Sequence, residues 1–247
     1  MRRILMAGLV VTTLGASRPA TAQTRAWSER TWFSVSGGLQ PTVNSFDDRF
    51  DLPLNAETGS VATTYPVQGT MVIAASGGVR VWKQFAVGLG VTRYNRRAQA
   101  LIEARLPHPF FDNTFREIEG ATRATRRETG AHLMVGWMMP ATKRLRVLIA
   151  AGPSVVGVRQ TVVSGVQFTE AFPYDAAAFT GATTVNASAT ATGFNAGADV
   201  FWMFARHLGA GGLVQVTRAR ARLPLGGRSK TIDAGGAQAA GGIRLLF

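Results

Sequence analysis

Apolar and polar residues alternate with a period of two through the last stretch of the chain, residues 230–247. Every second position from Phe247 back to Ala237 is apolar or glycine, whereas the other set includes Gln238 and Arg244. A period of two is the repeat of a β-strand, and two unlike faces indicate two unlike environments. A strand that ends on two leucines and a phenylalanine would present a sticky free edge to water. We therefore expect this strand to pair with a neighbour in a closed barrel whose outer face contacts lipid.

The same alternation recurs in seven earlier segments, which are separated by connections of two lengths. Short turns are expected at residues 82–84, 140–143 and 205–207, and longer connections at about 41–66, 98–123, 163–185 and 223–229. An even number of antiparallel strands, with short turns at one end and long loops at the other, is typical of outer-membrane barrels. The sequence predicts an all-β fold. The expected architecture is an eight-stranded antiparallel transmembrane β-barrel, an up-and-down meander with short periplasmic turns and long extracellular loops.

The start of the chain has the pattern of an export signal. Arg2 and Arg3 precede a short apolar run at residues 4–14, and Ala20-Thr21-Ala22 is a small-residue cleavage site. The apolar run is too short to cross a bilayer as a helix, although an uncleaved anchor is the alternative. We expect residues 1–22 to be a signal peptide and residues 23–247 to form one outer-membrane barrel domain.

The composition agrees with a membrane barrel and excludes other classes. The chain has no cysteine, so a disulfide framework cannot stabilise it after export. Hydrophobic residues make up 46% of the chain, yet no window offers the roughly 18 uninterrupted apolar residues of a transmembrane helix. A barrel reconciles these observations, because lumen residues dilute the lipid-facing ones along every strand. A soluble ligand-binding barrel remains the alternative.

The basic residues are the main functional signal. The formal net charge is +13, and +10 once Arg2, Arg3 and Arg18 are excluded. If the strand phases continue past the apolar belt, eight arginines face outward at the loop ends: Arg93, Arg97, Arg123, Arg127, Arg159, Arg218, Arg220 and Arg222. Arginine binds phosphate in a bidentate fork, so a collar that grips lipopolysaccharide phosphates is one interpretation. A solvated ring of charge is the other. Export and barrel patterning argue against the nucleic acid partner that such a basic chain otherwise suggests.

Four charged residues take inward phases near the periplasmic half: Arg80, Arg146, Asp199 and Arg244. A carboxylate flanked by arginines in a narrow lumen is expected to form ion pairs. Because eight strands leave an interior that side chains fill, we expect a plugged lumen and no transporting pore.

No catalytic, metal or cofactor site is expected. The three histidines are His108 in a loop, His132 with an inward phase and His207 in a turn, so none lies on the outer face beside a serine. The oxygen-bearing residues Asn44, Asp47, Asp48 and Asp51 lack the spacing of a calcium-binding loop.

The strand rhythm, the segment 193–200 before a tight turn, and the closing residues 242–247 resemble the small outer-membrane β-barrel proteins of the OmpA/OmpX type. This resemblance implies partners in outer-membrane lipid and lipopolysaccharide, and it implies that Phe247 is a recognition signal for the barrel assembly machinery. The extracellular ligand is unknown. Lipid A deacylases of the outer membrane resemble the chain in size and strand count, so a lipid A-modifying enzyme is the alternative function.

Overall fold

A computed structural model of the chain describes residues 29–41, 46–66, 69–225 and 228–247. Within these ranges, no helix is long and apolar enough to cross a membrane. The expected signal peptide lies outside the described residues, and the domain boundary at residue 23 stays a prediction. The ten strands are β1 (Thr31–Gln40), β2 (Phe46–Leu54), β3 (Glu57–Tyr65), β4 (Thr70–Trp82), β5 (Phe85–Pro107), β6 (Phe115–Pro140), β7 (Leu145–Glu170), β8 (Ala177–Met203), β9 (Leu208–Leu225) and β10 (Arg228–Leu246).

Eight of the ten strands close into a ring, which confirms the expected antiparallel barrel. The order is β1, β4, β5, β6, β7, β8, β9 and β10, each antiparallel to the next. The first and last strands form the seam, where Phe33 lies opposite Leu245 and Val35 opposite Ile243. Closure leaves no free edge within the membrane, where unpaired backbone amides have no water to bind.

We call the half of the ring next to the short turns the turn end. In this half, apolar side chains lie on the outer face and polar side chains on the inner face, the reverse of a soluble barrel. Val135 and Ile149 point outward with 54% and 52% of their surface exposed, whereas Ser36, Asn195 and Arg244 are buried in the lumen. Aromatic side chains form an exposed girdle at the turn end, as membrane interfaces require: Trp82, Phe85, Trp137, Trp202 and Phe204.

The connections at the other end, the hairpin end, are shorter than expected, because most of the residues assigned to them belong to strands. Residues 46–65 contain the extra hairpin β2–β3, so the described residues form ten strands, of which eight make the expected ring. Most of 98–123 and 163–185 extends the strands β5 to β8, and the connections proper are only 108–114 and 171–176. The last connection is also shorter than expected, because β9 runs to Leu225 and β10 starts at Arg228.

Above the membrane belt, the apolar residues of these strands lie on the inner face instead of the outer face, which explains why the strands extend further than expected. On β5, Leu89 and Val91 face outward in the belt, but higher up Ile102 and Leu106 face inward while Glu103 faces outward. A search for an outward apolar stripe therefore finds only scattered residues such as Leu101 and Val185 in these stretches, although the period of two continues. Strands β5 to β8 have 23 to 27 residues, more than twice the 9–11 that cross a bilayer.

The wall divides above the belt and closes over the lumen. The pairing of β6 with β7 ends at Arg126 opposite Gln160, and that of β8 with β9 ends at Gly193 opposite Ala219. In place of β4, β3 pairs with the upper part of β5. The inner faces of these pieces share one apolar core, which includes Val61, Ile102, Leu106, Ile118, Val162 and Leu223. This core fills the hairpin end of the barrel.

Candidate functional site

All eight arginines of the expected collar are exposed. The strand register arranges the outward residues of β5, β6 and β7 in rows across the wall. The uppermost apolar row is Val91, Ala131 and Val155; above it come Arg93, Thr129 and Gly157, and then Asn95, Arg127 and Arg159. The arginines therefore begin in the first row above the apolar belt.

Five of the arginines form a cluster on β5 to β7, here the β5–β7 cluster: Arg93, Arg97, Arg123, Arg127 and Arg159. Arg127 and Arg159 lie directly opposite each other, so their Cβ atoms are about 5 Å apart. Like charges at such positions repel each other. Among the described residues, no carboxylate lies within ion-pair distance of any of the five. Within the described part of the chain, the cluster is an area of positive charge without a neutralising carboxylate.

The three arginines on β9 have a different environment. Arg220 lies opposite Asp233 and forms an ion pair of 3.7 Å, with both side chains mostly exposed. Arg218 lies opposite Phe194 on β8 and Gly235 on β10. The positive charge is therefore stronger on the β5–β7 side of the barrel than on the β9 side.

The structure joins two of the four expected lumen residues in one ion pair. The Arg244 guanidinium contacts Asp199 Oδ1 through Nε at 2.9 Å and Nη2 at 2.8 Å, and its Nη1 donates to Ser36 Oγ at 2.8 Å. Ser34 Oγ donates to the other carboxylate oxygen at 3.4 Å. Arg244 is fully buried. This group holds β1, β8 and β10 together across the lumen.

The other two arginines lie elsewhere at the turn end. Arg146 pairs with Glu29 at 3.0 Å instead of joining Asp199. Arg80 is half-buried near the end of β4. The lumen cavity next to Asp199, His132 and Asn195 measures ≈ 30 Å³ as the volume open to the centre of a water molecule, room for about two waters.

A second polar group, which the strand pattern does not predict, crosses the lumen just above the membrane belt. Glu128 on β6 accepts hydrogen bonds from Tyr94 at 2.6 Å, from Arg126 Nε at 2.8 Å and, on its other oxygen, from the Gly235 amide of β10 at 2.8 Å. Arg126 also donates to the Asp233 carbonyl at 2.6 Å. Burial and the nearby Glu128 carboxylate raise the pKa of Tyr94, so the phenol stays protonated and donates. The signal was the run of inward polar residues on β6, but its partners on β10 are not evident from any local pattern.

A serine and a histidine meet in the lumen, where the sequence analysis expected no catalytic pair. His132 Nδ1 lies 2.8 Å from Ser154 Oγ, and its Nε2 lies 2.9 Å from Thr92 Oγ1. Asn195 donates to Ser154 Oγ and to the Gly152 carbonyl, both at 2.9 Å. Ser154 and His132 are both buried. A threonine, and not a carboxylate, orients the histidine, and neither side chain faces lipid.

Asn195 compensates for a break in the barrel wall at Pro153. A proline lacks the amide that a strand donates to its neighbour, and the pairing of β6 with β7 is interrupted at Pro153, between the pairs His132–Ser154 and Val135–Ala151. The Asn195 side chain lies 3.4 Å from the Leu133 carbonyl and reaches it from inside the lumen. The Ser154–His132–Asn195 group thus has a structural role, which is to supply hydrogen bonds where the wall is interrupted at Pro153.

The chain terminus is attached to the seam. The Phe247 carbonyl accepts from the Thr31 amide at 2.8 Å, and the ring stacks on His207 with centroids 5.3 Å apart. The side chain itself is exposed. Its role as an assembly signal stays a prediction.

Exposed aromatic rings mark the far tip of the hairpin end. Phe110 and Phe172, on the two connections 108–114 and 171–176, are 70% and 84% exposed, and both lie beside Tyr174. The described residues include no group of three or more His, Cys, Asp or Glu side chains that could hold a metal ion.

Comparison with known proteins gives similarity in structure only. No protein-family model matches the chain, and no curated protein matches it significantly. The crystal structure of the outer membrane protein OprG from Pseudomonas aeruginosa matches at 10% identity over 89% of this chain and 97% of that one, with a TM-score of 0.46. The outer membrane protease OmpT from Escherichia coli matches at 8% identity over 92% of this chain and 100% of that one, also with a TM-score of 0.46.

A third match is Ail, the attachment invasion locus protein of Yersinia pestis, at 9% identity over 86% of this chain and 97% of that one, with a TM-score of 0.33. Two of the three are named as outer-membrane proteins. At such low identities and TM-scores, the assignment as a transmembrane barrel depends on the closed strand pairing and the reversed faces of the ring.

Proposed function

We propose that this protein is an integral outer-membrane barrel with a structural or surface-interaction role, which binds lipopolysaccharide through its outward arginines and does not act as an open pore. The observation that carries the proposal is the β5–β7 cluster, in the first rows above the apolar belt. Phosphate groups of lipid lie at this height, where the apolar surface ends. Because guanidinium groups bind phosphate oxygens in pairs, an anion between Arg127 and Arg159 would replace repulsion with charge-assisted hydrogen bonds.

Three features support a lumen that does not conduct. The Arg244–Asp199 ion pair crosses it within the membrane, and the Glu128 group crosses it above the belt. The shared apolar core then fills the hairpin end. An eight-stranded ring is in any case just wide enough for side chains to fill.

The experiment is the measurement of lipopolysaccharide that remains bound after purification in detergent. The triple variant Arg93→Gln, Arg127→Gln, Arg159→Gln should retain less lipopolysaccharide than the parent by a factor of at least about ten. The reason is that each charged hydrogen bond contributes about 1.5–3 kcal/mol. The matched control is Lys143→Gln, Arg144→Gln, Arg206→Gln, which removes the same charge from exposed positions at the turn end. Equal retention by both triple variants would remove the collar. If the charges are only solvated, both variants retain as much as the parent.

The exposed tip with Phe110 and Phe172 supports the surface-interaction role, because large apolar groups at the far end of a barrel mark contact sites. Phe110→Ser with Phe172→Ser should reduce adhesion of cells that display the protein. Unchanged adhesion would leave only the structural role.

The alternative, a lipid A-modifying enzyme, would need a nucleophile that meets lipid. The Ser154–His132 pair is the one observation that favours it, but both side chains are buried in the lumen and complete the network around Pro153. Covalent labelling of Ser154 by a fluorophosphonate would favour the enzyme, and absence of labelling would favour the structural role.

A further inference from the structure

We propose that the β5–β7 face holds one acylated, phosphorylated lipid, with its phosphate at Arg127 and Arg159 and one acyl chain in the groove below. This inference rests on the proposed function and deepens it. A collar would bind lipids equally around the barrel, whereas a single built site selects one position for one molecule.

The groove lies on the outer surface directly beneath the β5–β7 cluster. Its volume is ≈ 320 Å³. The outward side chains that line it are all apolar: Leu89, Val91, Ala131, Leu133, Pro153 and Val155. Hydrocarbon is the one occupant that such a lining favours at this depth in a membrane.

Small residues open the groove upward to the arginines. Ala131 lies in the middle of its row, between Val91 and Val155. In the next row, a Cβ placed on Gly157 would meet only the Thr129 carbonyl, at 3.8 Å, so the space outside this glycine is open. The depression therefore continues from the apolar row to the row of Arg127 and Arg159.

The spacing suits a lipid that spans the boundary. Ala131 is four residues below Arg127 on the same strand, which corresponds to about 14 Å. Arginine side chains are long and flexible enough to lie along the wall with the charged end at the polar boundary. A phosphate at the cluster and a chain in the groove thus belong to one molecule whose head and tail are covalently joined.

Charge complementarity favours this face over the opposite one. At the same height on β9, Arg220 already pairs with Asp233. On β5 to β7 the five arginines have no carboxylate partner among the described residues, so an added anion gains the most there. A free phosphate would use the arginines but would have no use for the groove, and this difference allows a test.

The test compares two ligands on two variants of the whole protein in detergent. Ala131→Trp fills the groove with an outward side chain on β6. Ala239→Trp places the same ring on β10, which is diametrically opposite in the ring of eight. Ala239 lies opposite Leu39 on β1 and Val214 on β9, which are both exposed apolar residues, so it also belongs to the apolar belt. The ligands are lipopolysaccharide and fully de-acylated lipopolysaccharide, and slower migration after boiling verifies that each variant is folded.

We expect Ala131→Trp to weaken binding of intact lipopolysaccharide five- to tenfold and to leave binding of the de-acylated form unchanged, while Ala239→Trp changes neither. Equal weakening of both ligands, or equal weakening by both variants, would overturn the acyl site. If Ala131→Trp has no effect but the Arg93, Arg127 and Arg159 triple variant loses lipopolysaccharide, the groove is excluded and the collar stands. If neither has an effect, the proposed function fails as well.

Discussion

The substitution Asp199→Asn replaces one oxygen atom by an NH₂ group, yet it should strongly destabilise the barrel. Among the residues that the structure describes, Asp199 is the one carboxylate that contacts the fully buried Arg244, at 2.8–2.9 Å. Asparagine keeps the shape but removes the negative charge, so the guanidinium is left buried without compensation. Breaking a buried pair by removing one partner typically costs about 3–5 kcal/mol. We expect a loss of that size in the free energy of unfolding.

The double variant Asp199→Asn, Arg244→Met should recover much of the loss, because it removes the isolated charge and replaces it with an apolar side chain of similar length. Asp233→Asn is the matched control, since Asp233 pairs with Arg220 at 3.7 Å with both side chains exposed. An exposed pair contributes only about 0–1 kcal/mol. The measurement is urea unfolding of the barrel in lipid vesicles, followed by tryptophan fluorescence and by migration on unboiled gels.

The three variants together test whether the lumen pair is dry. If Asp199→Asn costs no more than Asp233→Asn, water reaches Arg244 and the lumen is hydrated enough to screen it. If the double variant is less stable than Asp199→Asn alone, Arg244 contributes mainly through Ser36 and the neighbouring carbonyls. Either result would refute the reasoning from burial.

Two further predictions concern the hairpin half of the barrel. Gly235→Ala should destabilise the fold by about 2 kcal/mol or more, because Gly235 has φ +82° and an added Cβ would lie 2.5 Å from the Thr217 carbonyl oxygen. Gly212→Ala is the control and should have little effect, because its added Cβ would lie 3.9 Å from its nearest neighbour. Equal urea midpoints for the two alanine variants would contradict this. Stability should also fall above about pH 10, because burial raises the pKa of Tyr65 to about 12 and also raises that of Tyr94; the folded state then holds protons that the unfolded state releases. The loss of stability is at most about 1.4 kcal/mol per pH unit for each tyrosine and is absent below about pH 9. It should be smaller in Tyr65→Phe. A urea midpoint that does not change between about pH 9 and 11 would exclude this contribution of the tyrosines.

The membrane half of the fold was predictable because its pattern is local. A period of two with an apolar outer face determines strand direction and the side that faces lipid, as in residues 230–247. The same phase, carried upward, placed Arg127 and Arg159 on the outer surface. The hairpin half has the sequence pattern of loops, because Ile102 and Leu106 are apolar on the inner face and lie outside any lipid-facing stripe.

The sequence by itself therefore determined the barrel, its outer belt and the outward position of the arginines, since each follows from alternation along one strand. Only the tertiary structure decided which polar groups meet: Asp199 with Arg244, 45 residues apart, and Glu128 with Gly235, 107 residues apart. The groove at Ala131 and the contact of Ser154 with His132 depend in the same way on the register between β6 and β7. Register and closure are properties of strand pairs, and a period within one strand does not encode them.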